Sequence, residues 1–297
     1  GFIKALIGAS VLISTASVFA ANKVDVSLSS AQVDKNSVTY AIVTVYTDKG
    51  EPVTDAKLFI REFIQKKTKV KYKNRTPWLS RCLEWKKKYP VTIPEYFKAK
   101  SYVNTYVLVD ILSELMSEND VLIPGSSGGC SEITMQAFKV KKGQRIFNTP
   151  GLGSMGFGLP ASIGACLASG KKRTISIIGD GGLQHNIQEL ETVARLNLPI
   201  KLFILNNNGY ASIRNTQKSL FKGHYVCCDP SSGLTFPDTA KIATAYGIKN
   251  ARILNHERIR EQIERALEVE GPVICEVMVD PYLQIAPRIQ SQVLPNG

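Results

Sequence analysis

The sequence predicts an α/β fold with a doubly wound, mostly parallel sheet and helices on both faces, preceded by a short β-rich N-terminal segment. Two observations predict it. From about residue 102 onwards, short apolar runs alternate with amphipathic helical segments, which is the pattern of successive βαβ units. The apolar runs have the composition of buried strands, so helices are expected to cover both sides of the sheet. A hydrophobic content of 44% and a charged content of 21% are typical of a globular chain.

Residues 1–21 have the order of a secretory signal peptide. Lys4 is followed by an apolar run too short to span a bilayer comfortably, and small residues precede Ala21. If genuine, this segment implies export; the alternative is an N-terminal core helix. The cysteines indicate the opposite compartment, because none of the six belongs to a CxxC pair and several lie in apolar runs. They predict a reduced, cytoplasmic enzyme domain, so the two ends of the chain disagree.

Residues 22–57 form a β-rich segment with β-branched runs and a turn at DKGEP. The stretch SVTYAIVTVYTDKGEPVTDAKL resembles the bacterial immunoglobulin-like repeats of secreted adhesins. It covers about half of such a domain, which is too few strands to close a sandwich around its own core. We therefore interpret residues 22–57 as a partial immunoglobulin-like segment.

Residues 58–101 are predicted to be a basic helical linker. Between Arg61 and Lys100 there are thirteen Lys or Arg and three acidic residues, a balance of +10 within a formal charge of +12 for the chain. Such an excess is one mark of a nucleic-acid surface. No recognisable nucleic-acid module accompanies it, so we predict a solvated linker face and no nucleic-acid partner.

Residues 102–297 are predicted to form the α/β domain itself. SYVNTYVLVDILSELMSEND is amphipathic with a period near 3.6 and precedes the short apolar run VLIPG. No membrane span is predicted after the N-terminal segment. The predicted strands are RTISIIGD, IKLFILN, KNARIL and PVICEVMVD. The predicted helices are HNIQELETVARL, PDTAKIATAYG and HERIREQIERALEVE, the last with Ile259, Ile263, Ala266 and Leu267 on one face.

Oxygen-bearing side chains follow two of these strands at the point where each ends. Asp180 ends RTISIIGD, and Asn206, Asn207 and Asn208 end IKLFILN. A right-handed βαβ crossover makes the strands parallel, so both end at one edge of the sheet, about 5 Å apart if they are neighbours. Ligands of open α/β sheets bind at this edge. A carboxylate, an amide oxygen and a main-chain carbonyl are ligands that suit Mg²⁺.

Glycines adjoin these side chains. Gly181 and Gly182 are expected to expose backbone N–H groups ahead of a helix over 186–196, an arrangement that suits a bound phosphate. Neither a P-loop nor a dinucleotide fingerprint is present. We predict a Mg²⁺-diphosphate site; the alternative is a turn aspartate with an asparagine-rich helix cap. Met155 lies among the glycines of NTPGLGSMGFGLPASIGA, which favours a ligand-facing side chain over the alternative, a core residue.

These motifs resemble those of the thiamine-diphosphate enzymes, specifically the acetohydroxyacid synthase-like group. The resemblance rests on Gly179-Asp180-Gly181 followed at the family's spacing by Asn206-Asn207, on GLGSMGFGLPASIGA and on PVICEVMVDPYLQIAP. It covers roughly residues 58–297 and corresponds to the diphosphate-binding domain, normally the C-terminal third of a longer chain. It implies thiamine diphosphate and Mg²⁺ as cofactors.

The resemblance also implies a role for each matching residue. Mg²⁺ is expected to bind the side chains of Asp180 and Asn207 and the carbonyl oxygen of Gly209. Met155, given the catalytic role, would be the wedge that bends the cofactor and brings its aminopyrimidine to the thiazolium carbon. The other implied cofactor-binding residues are Gly153 beside the pyrimidine, Gly179 in the GDG motif, and Gly181, Gly182, Tyr210 and Ala211 along the diphosphate.

The implied function is that of a thiamine-diphosphate- and Mg²⁺-dependent 2-keto acid decarboxylase or carboligase acting on a pyruvate-like substrate. In this family the activating glutamate belongs to a separate pyrimidine-binding domain, and full-length members are usually homo-oligomers. We therefore expect this chain to be inactive without a pyrimidine-binding domain or subunit. Ser212 and Thr216 stand where the branched-chain synthases tend to carry Met and Trp, a departure that puts an acetolactate product in doubt.

Two other interpretations remain open. The first is a secreted immunoglobulin-like adhesion or binding protein, as the two N-terminal segments indicate. The second is an inactive chimera of two genes joined near residue 57, because half a sandwich adjoins part of an enzyme and the compartment signals disagree. His185 and His224, which lie near the predicted site in sequence, are interpreted as structural or phosphate-edge residues.

Overall fold

The computed structural model describes residues 21–28, 41–47, 60, 74–126 and 128–287. The chain divides into two compact units, residues 1–84 and 85–297. In the first unit, β1 (Ala21–Leu28) pairs antiparallel with β2 (Ala41–Thr47). Residues 1–20 of the predicted signal peptide and the DKGEP turn lie outside the described residues. The signal-peptide and immunoglobulin-like interpretations therefore stay predictions.

The described part of the predicted linker contains one α-helix and one short 3₁₀ helix. The α-helix is α1 (Thr76–Lys88), and the 3₁₀ helix spans Pro94–Lys98. α1 ends in Lys86, Lys87 and Lys88, and positive charges are favourable at a helix C-terminus. None of its residues is buried, which agrees with a solvated linker face.

The second unit is built on a six-stranded, fully parallel sheet, which confirms the predicted fold class. The strand order is β4-β3-β5-β6-β8-β7. The crossovers place helices on both faces of such a sheet. The strands are β3 (Val121–Pro124), β4 (Arg145–Ile146), β5 (Thr174–Gly179), β6 (Ile200–Asn206), β7 (Lys249–Ile253) and β8 (Val273–Met278).

Eight α-helices surround this sheet among the described residues. They are α2 (Thr105–Leu115), α3 (Glu132–Ala137), α4 (Gly158–Ala168), α5 (Asp180–Gln184), α6 (Leu190–Arg195), α7 (Ala211–Leu220), α8 (Thr239–Ala245) and α9 (Ile259–Glu268). Short 3₁₀ helices span Gly128–Cys130, Ile187–Glu189 and Pro230–Ser232. In the described part of the chain, no helix combines the length and apolarity that crossing a membrane requires.

The continuous helix predicted over 186–196 is wrong in its boundaries. The chain turns into α5 directly after β5, and only Leu190–Arg195 of the predicted span is α-helical. The break lies at Asn186, whose φ of −139° is not helical. Its side-chain amide donates a hydrogen bond to the carbonyl oxygen of Gly156, 2.8 Å away. This contact with a distant loop could not be inferred from helical periodicity.

Two hydrophobic cores lie on the two faces of the sheet. Neighbouring residues of β6 alternate between them, with Phe203 and Leu205 in one core and Leu202 and Ile204 in the other. The first core is covered by α2, α3 and α9, and the second by α4, α6 and α8. The apolar face predicted for the last helix is confirmed, because all four of its residues are buried. Burial on both faces explains why residues 202–205 of β6 are all apolar.

Lys201 at the beginning of β6 is a buried cation, only 1% exposed. Its ammonium group donates a hydrogen bond to the carbonyl oxygen of Gly271 at 2.7 Å and another to that of Val269, both just beyond α9. Removal from water, together with the smaller effects of the nearby charges of Arg173 and Lys249, lowers the pKa of Lys201 to about 8. Lys201 thus ties β6 to the end of α9 and retains an electrostatic penalty.

We expect Lys201 to make stability rise with pH between about 8 and 10.5. Its pKa is about 8 in the folded chain against 10.5 for an ordinary lysine, so the unfolded state binds more protons in this window. The control is Lys201→Met, which removes the titrating group. The difference in unfolding free energy between wild type and this variant, from urea denaturation at several pH values, should increase across the window. A difference independent of pH would show that Lys201 titrates normally.

Candidate metal and diphosphate site

The predicted meeting of Asp180 with the asparagines is confirmed. β5 and β6 are hydrogen-bonded neighbours, and Gly179 at the end of β5 pairs with Leu205 near the end of β6. Asp180 and Asn206 therefore lie at the same carboxyl edge of the sheet. The edge also lies beside β8, because Asn206 pairs with Met278.

The carboxylate of Asp180 organises this edge. It is 4% exposed and accepts three backbone hydrogen bonds. The N–H of Gly181 donates to Oδ1 at 2.8 Å, and the N–H groups of Asn207 and Gly209 donate to Oδ2 at 3.2 and 3.1 Å. One side chain thus fixes the first turn of α5 and the loop after β6.

Asp180 is nevertheless short of positive charge. Burial raises the pKa of its carboxyl group to about 6, although the backbone N–H groups that donate to it act in the opposite direction. No described cationic side chain is among the causes of this shift. A divalent cation at the carboxylate would remove the penalty of burying its charge. The site is therefore chemically suited to a metal ion.

The three consecutive asparagines have different environments. Asn206 is tied to structure, because its amide nitrogen donates to Glu276 at 2.7 Å and its amide oxygen accepts the N–H of Asn208 at 2.9 Å. Asn208 is exposed and has a left-handed φ of 57°. Asn207 lines the adjoining cavity, and its Oδ1 accepts a hydrogen bond from Arg214 at 3.0 Å. Of the three asparagines, Asn207 is thus the one that lines the cavity.

A cavity of about 460 Å³ opens at this edge of the sheet. Asp180 and Gly153 lie outside its lining, although Gly179 and Gly181 on either side of Asp180 belong to it. Met155 is 42% exposed and lines the cavity, which favours a ligand-facing position over the core alternative. Eight of the predicted site residues line it: Met155, Gly179, Gly181, Gly182, Asn207, Gly209, Tyr210 and Ala211.

Gly181 and Gly182 lie within the first turn of α5, so the expectation that they precede a helix is wrong. α5 has only five residues, too few to supply a substantial helix dipole. The two glycines also differ in their surroundings. A Cβ atom on Gly181 would lie 2.3 Å from the ring of Tyr210, whereas one on Gly182 would meet no atom within 4 Å. Gly182 therefore leaves open space in the cavity, and Gly181 makes room for Tyr210.

Gly209 closes the loop after β6 against the segment before α8. Its φ of 151° is one that L side chains rarely adopt, and a Cβ atom there would lie 2.2 Å from the carbonyl oxygen of Cys228. The same carbonyl accepts the N–H of Tyr210 at 2.8 Å. The two contacts hold Gly209, Tyr210 and the beginning of α7 in place at the rim of the cavity.

His185 and His224, the two histidines near the predicted site in sequence, lie outside the cavity lining. His185 ends α5, and its Cβ atom would be 2.8 Å from a Cβ atom on Gly156, so it packs against the glycine-rich loop. His224 lies beyond α7, where its N–H donates to the carbonyl oxygen of Phe221. Both positions agree with the structural interpretation of these residues.

Sequence reasoning missed Arg214, Asp229 and Glu276. Arg214 and Glu276 are hydrogen-bonded to Asn207 and Asn206, and Asp229 lies 3.8 Å from the guanidinium of Arg214. All three are buried. No sequence signal marks Arg214 or Asp229, since a charged residue in a polar helix or a loop is normally solvated. Glu276 could have been noticed as the one charged residue within the apolar strand VICEVM.

A parallel sheet with a carboxylate, an asparagine loop and glycine-lined space at its carboxyl edge defines a cofactor-binding α/β domain. Residues 127–277, half of the chain, match the family described as thiamine pyrophosphate enzyme, C-terminal TPP binding domain. The chain belongs to this family. Membership implies thiamine diphosphate, accompanied by Mg²⁺, as its cofactors.

The chain is similar in sequence to several acetolactate synthases. The chain is 30% identical over 283 residues to the acetolactate synthase large subunit of Cyanidium caldarium, covering 92% of this chain and 46% of that one. It is 31% identical over 218 residues to acetolactate synthase 3, chloroplastic, of Brassica napus (72% and 33%). It is 31% identical over 236 residues to the probable acetolactate synthase large subunit of Methanocaldococcus jannaschii (77% and 39%). The chain spans less than half the length of these relatives.

The first of these alignments bears on the chimera hypothesis. At 92% coverage of 297 residues, about 24 residues lie outside the alignment, so it includes much of residues 22–57. Similarity to one relative on both sides of residue 57 weighs against a junction of unrelated genes at that point.

Gly181→Ala and Gly182→Ala are expected to have opposite effects on stability. Alanine is favoured over glycine within a helix by up to about 1 kcal/mol, and the methyl group at 182 meets nothing within 4 Å. At 181 the methyl group would displace the ring of Tyr210, and overpacking destabilises by about 1–3 kcal/mol. Urea denaturation without added cofactor measures both changes. Equal unfolding free energies for the two variants would contradict this assignment.

Proposed function

We propose that this chain is the cofactor-binding part of a thiamine-diphosphate- and Mg²⁺-dependent 2-keto acid decarboxylase or carboligase of the acetolactate synthase type. One observation carries the proposal. The buried carboxylate of Asp180 accepts the N–H of Asn207 and is not paired with a cationic side chain among the described residues. Its neighbours Gly179 and Gly181 line the cavity at the carboxyl edge of the sheet. Family membership agrees with this reading, and the similarity to acetolactate synthases supports the reaction type.

The residues present fit a metal ion. In this proposal Mg²⁺ binds a side-chain oxygen of Asp180, the amide oxygen of Asn207 and the carbonyl oxygen of Gly209. Mg²⁺ prefers oxygen ligands and commonly completes its octahedron with water and substrate phosphates. The raised pKa of Asp180 supports the assignment, because a metal ion would stabilise the charged form.

The cavity fits the diphosphate of the cofactor. The proposed contacts are Gly181, Gly182, Tyr210 and Ala211, with Gly179 beside them at the end of β5. The open space above Gly182 supports this role, because any larger residue would fill it. Met155 and Gly153 are proposed to contact the rest of the cofactor, with the exposed Met155 side chain as the wedge that bends it.

In the proposed reaction the cofactor supplies the reactive groups, and the chain binds and orients the cofactor. When bound, thiamine diphosphate supplies the nucleophilic carbon and the electron sink for removing the carboxylate of a 2-keto acid. The chain's own residues bind and orient it, and the cavity limits the access of water. Ser212, Asn215 and Thr216 on one face of α7, together with Asp280, line the same cavity and would contact the substrate. A pyruvate-like 2-keto acid is the proposed substrate class.

Completion of the active site is proposed to require a pyrimidine-binding domain or subunit. Relatives are more than twice as long as the part matched by this chain, which leaves room for such a domain in a full-length protein. We also propose that the full-length enzyme is a homo-oligomer. Met155, which is 42% exposed and lines the cavity, is proposed to face this second domain.

The first test compares Asp180→Asn with wild type. Titration of Mg²⁺ in the presence of thiamine diphosphate, followed by calorimetry, should show affinity at least about 100-fold weaker in the variant, because a ligand charge is lost. The matched control is Asp120→Asn, a change at a similarly buried aspartate that is paired with Arg173 where β3 and β5 begin.

The control variant should bind as wild type does. Equal affinity for Asp180→Asn and wild type would reject Asp180 as a ligand. Loss of affinity in both variants would indicate a general effect on folding.

A further inference from the structure

Arg214 is a buried arginine in contact with the loop after β6, which carries two of the proposed metal ligands. It is 2% exposed and is the one buried residue of α7, a helix described in full. The rest of α7 is partly or fully exposed, and most of it is polar. Burial of a guanidinium without compensating contacts is strongly unfavourable, so its partners identify what it is for.

Two of those partners belong to Asn207. One terminal nitrogen of the guanidinium, Nη2, lies 3.1 Å from the carbonyl oxygen of Asn207 and 3.0 Å from its amide Oδ1. Nη2 carries two hydrogens, so it can donate one to each oxygen. The backbone and the side chain of Asn207 are thereby fixed by a single group.

This contact determines which way the amide of Asn207 faces. A guanidinium donates hydrogen bonds and cannot accept them, so the amide oxygen, and not the NH₂ group, must face it. An amide oxygen has two lone pairs, so one remains available after Arg214 has taken the other. In the reverse orientation two donors would oppose each other.

The guanidinium is itself held from other sides. Its Nη1 lies 3.8 Å from a carboxylate oxygen of Asp229, and its Cζ atom lies 5.5 Å from the ring centre of Tyr282. Asp229 is in turn fixed by hydrogen bonds from Ser231 and Ser232 to its other carboxylate oxygen. Among the described residues, Nε of Arg214 has no hydrogen-bond partner. The side chain thus keeps its contact with Asn207 while one of its own donors stays unsatisfied.

We propose that Arg214 is a positioning residue that orients the amide oxygen of Asn207 toward the divalent cation at Asp180. The inference rests on the proposed metal site and adds a residue to it. Arg214 does not line the cavity and is almost fully buried, so it does not contact the diphosphate itself. It acts through Asn207, and Asp229 balances its charge so that the arginine does not repel the metal.

The test uses Asn207→Asp as a second background. An aspartate carries oxygen at both terminal positions, so it has no wrong orientation for Arg214 to prevent. Arg214→Met is made in wild type and in Asn207→Asp, and Mg²⁺ is titrated calorimetrically into each protein with thiamine diphosphate present. In wild type we expect about 10- to 100-fold weaker Mg²⁺ binding, the usual effect of removing a partner of a metal ligand.

In the Asn207→Asp background the same substitution should weaken binding by less than about 3-fold, or strengthen it, because removal of a positive charge favours a cation. An equal loss in both backgrounds would overturn the proposal, since it would mean that Arg214 supports the fold and not the orientation of an amide. Unchanged binding in the wild-type background would overturn it as well.

Arg214→Lys covers the case in which Arg214→Met does not fold. Lysine keeps a positive charge opposite Asp229 but is shorter and lacks the planar fork, so about 10-fold weaker binding is expected. Thermal unfolding without metal identifies folded variants. Wild type that binds no Mg²⁺ with thiamine diphosphate would reject the metal site and this inference together. Normal binding by wild type and by Arg214→Lys would reject this inference alone.

Discussion

The carboxylate of Asp180 accepts N–H groups from α5 and from the loop after β6, and the geometry of the whole site depends on that shared acceptor. A buried carboxylate must be compensated by hydrogen bonds or by positive charge. Three backbone N–H groups compensate the charge of Asp180 in part, but burial still raises the pKa of its carboxyl group. The same group that shapes the two loops therefore also attracts a cation.

The sheet explains why the two loops meet. β5 and β6 are adjacent and in register up to the pair of Gly179 and Leu205, so the two segments leave the sheet side by side. Alternating burial of β6 in two cores fixes that register, because a slip of one residue would exchange the two faces. Packing far from the cavity thus sets the distance between Asp180 and Asn207. The close approach of Gly209 to Cys228 then determines where the loop ends.

The sequence was sufficient where a rule of local chemistry or topology applied, and insufficient where a distant contact decided. The βαβ rule predicts that Asp180 and the asparagines share an edge, and helical periodicity predicts the buried face of α9. Nothing local predicts the break at Asn186, which depends on a hydrogen bond to Gly156. Burial of Arg214 depends on Asp229, fifteen residues away along a loop whose path the sequence does not define.

Asn206 and Asn207 show how neighbouring amides acquire different tasks from the charges beside them. Glu276 on β8 is an anion and attracts the NH₂ group of Asn206, while Arg214 on α7 is a cation and attracts the oxygen of Asn207. Two chemically identical side chains are thereby turned to present opposite atoms. Because both charges are buried and belong to regular elements, β8 and α7, the orientation is set by the fold and precedes any ligand. A metal ion would find the oxygen of Asn207 already in place, and little ordering would remain to oppose its binding.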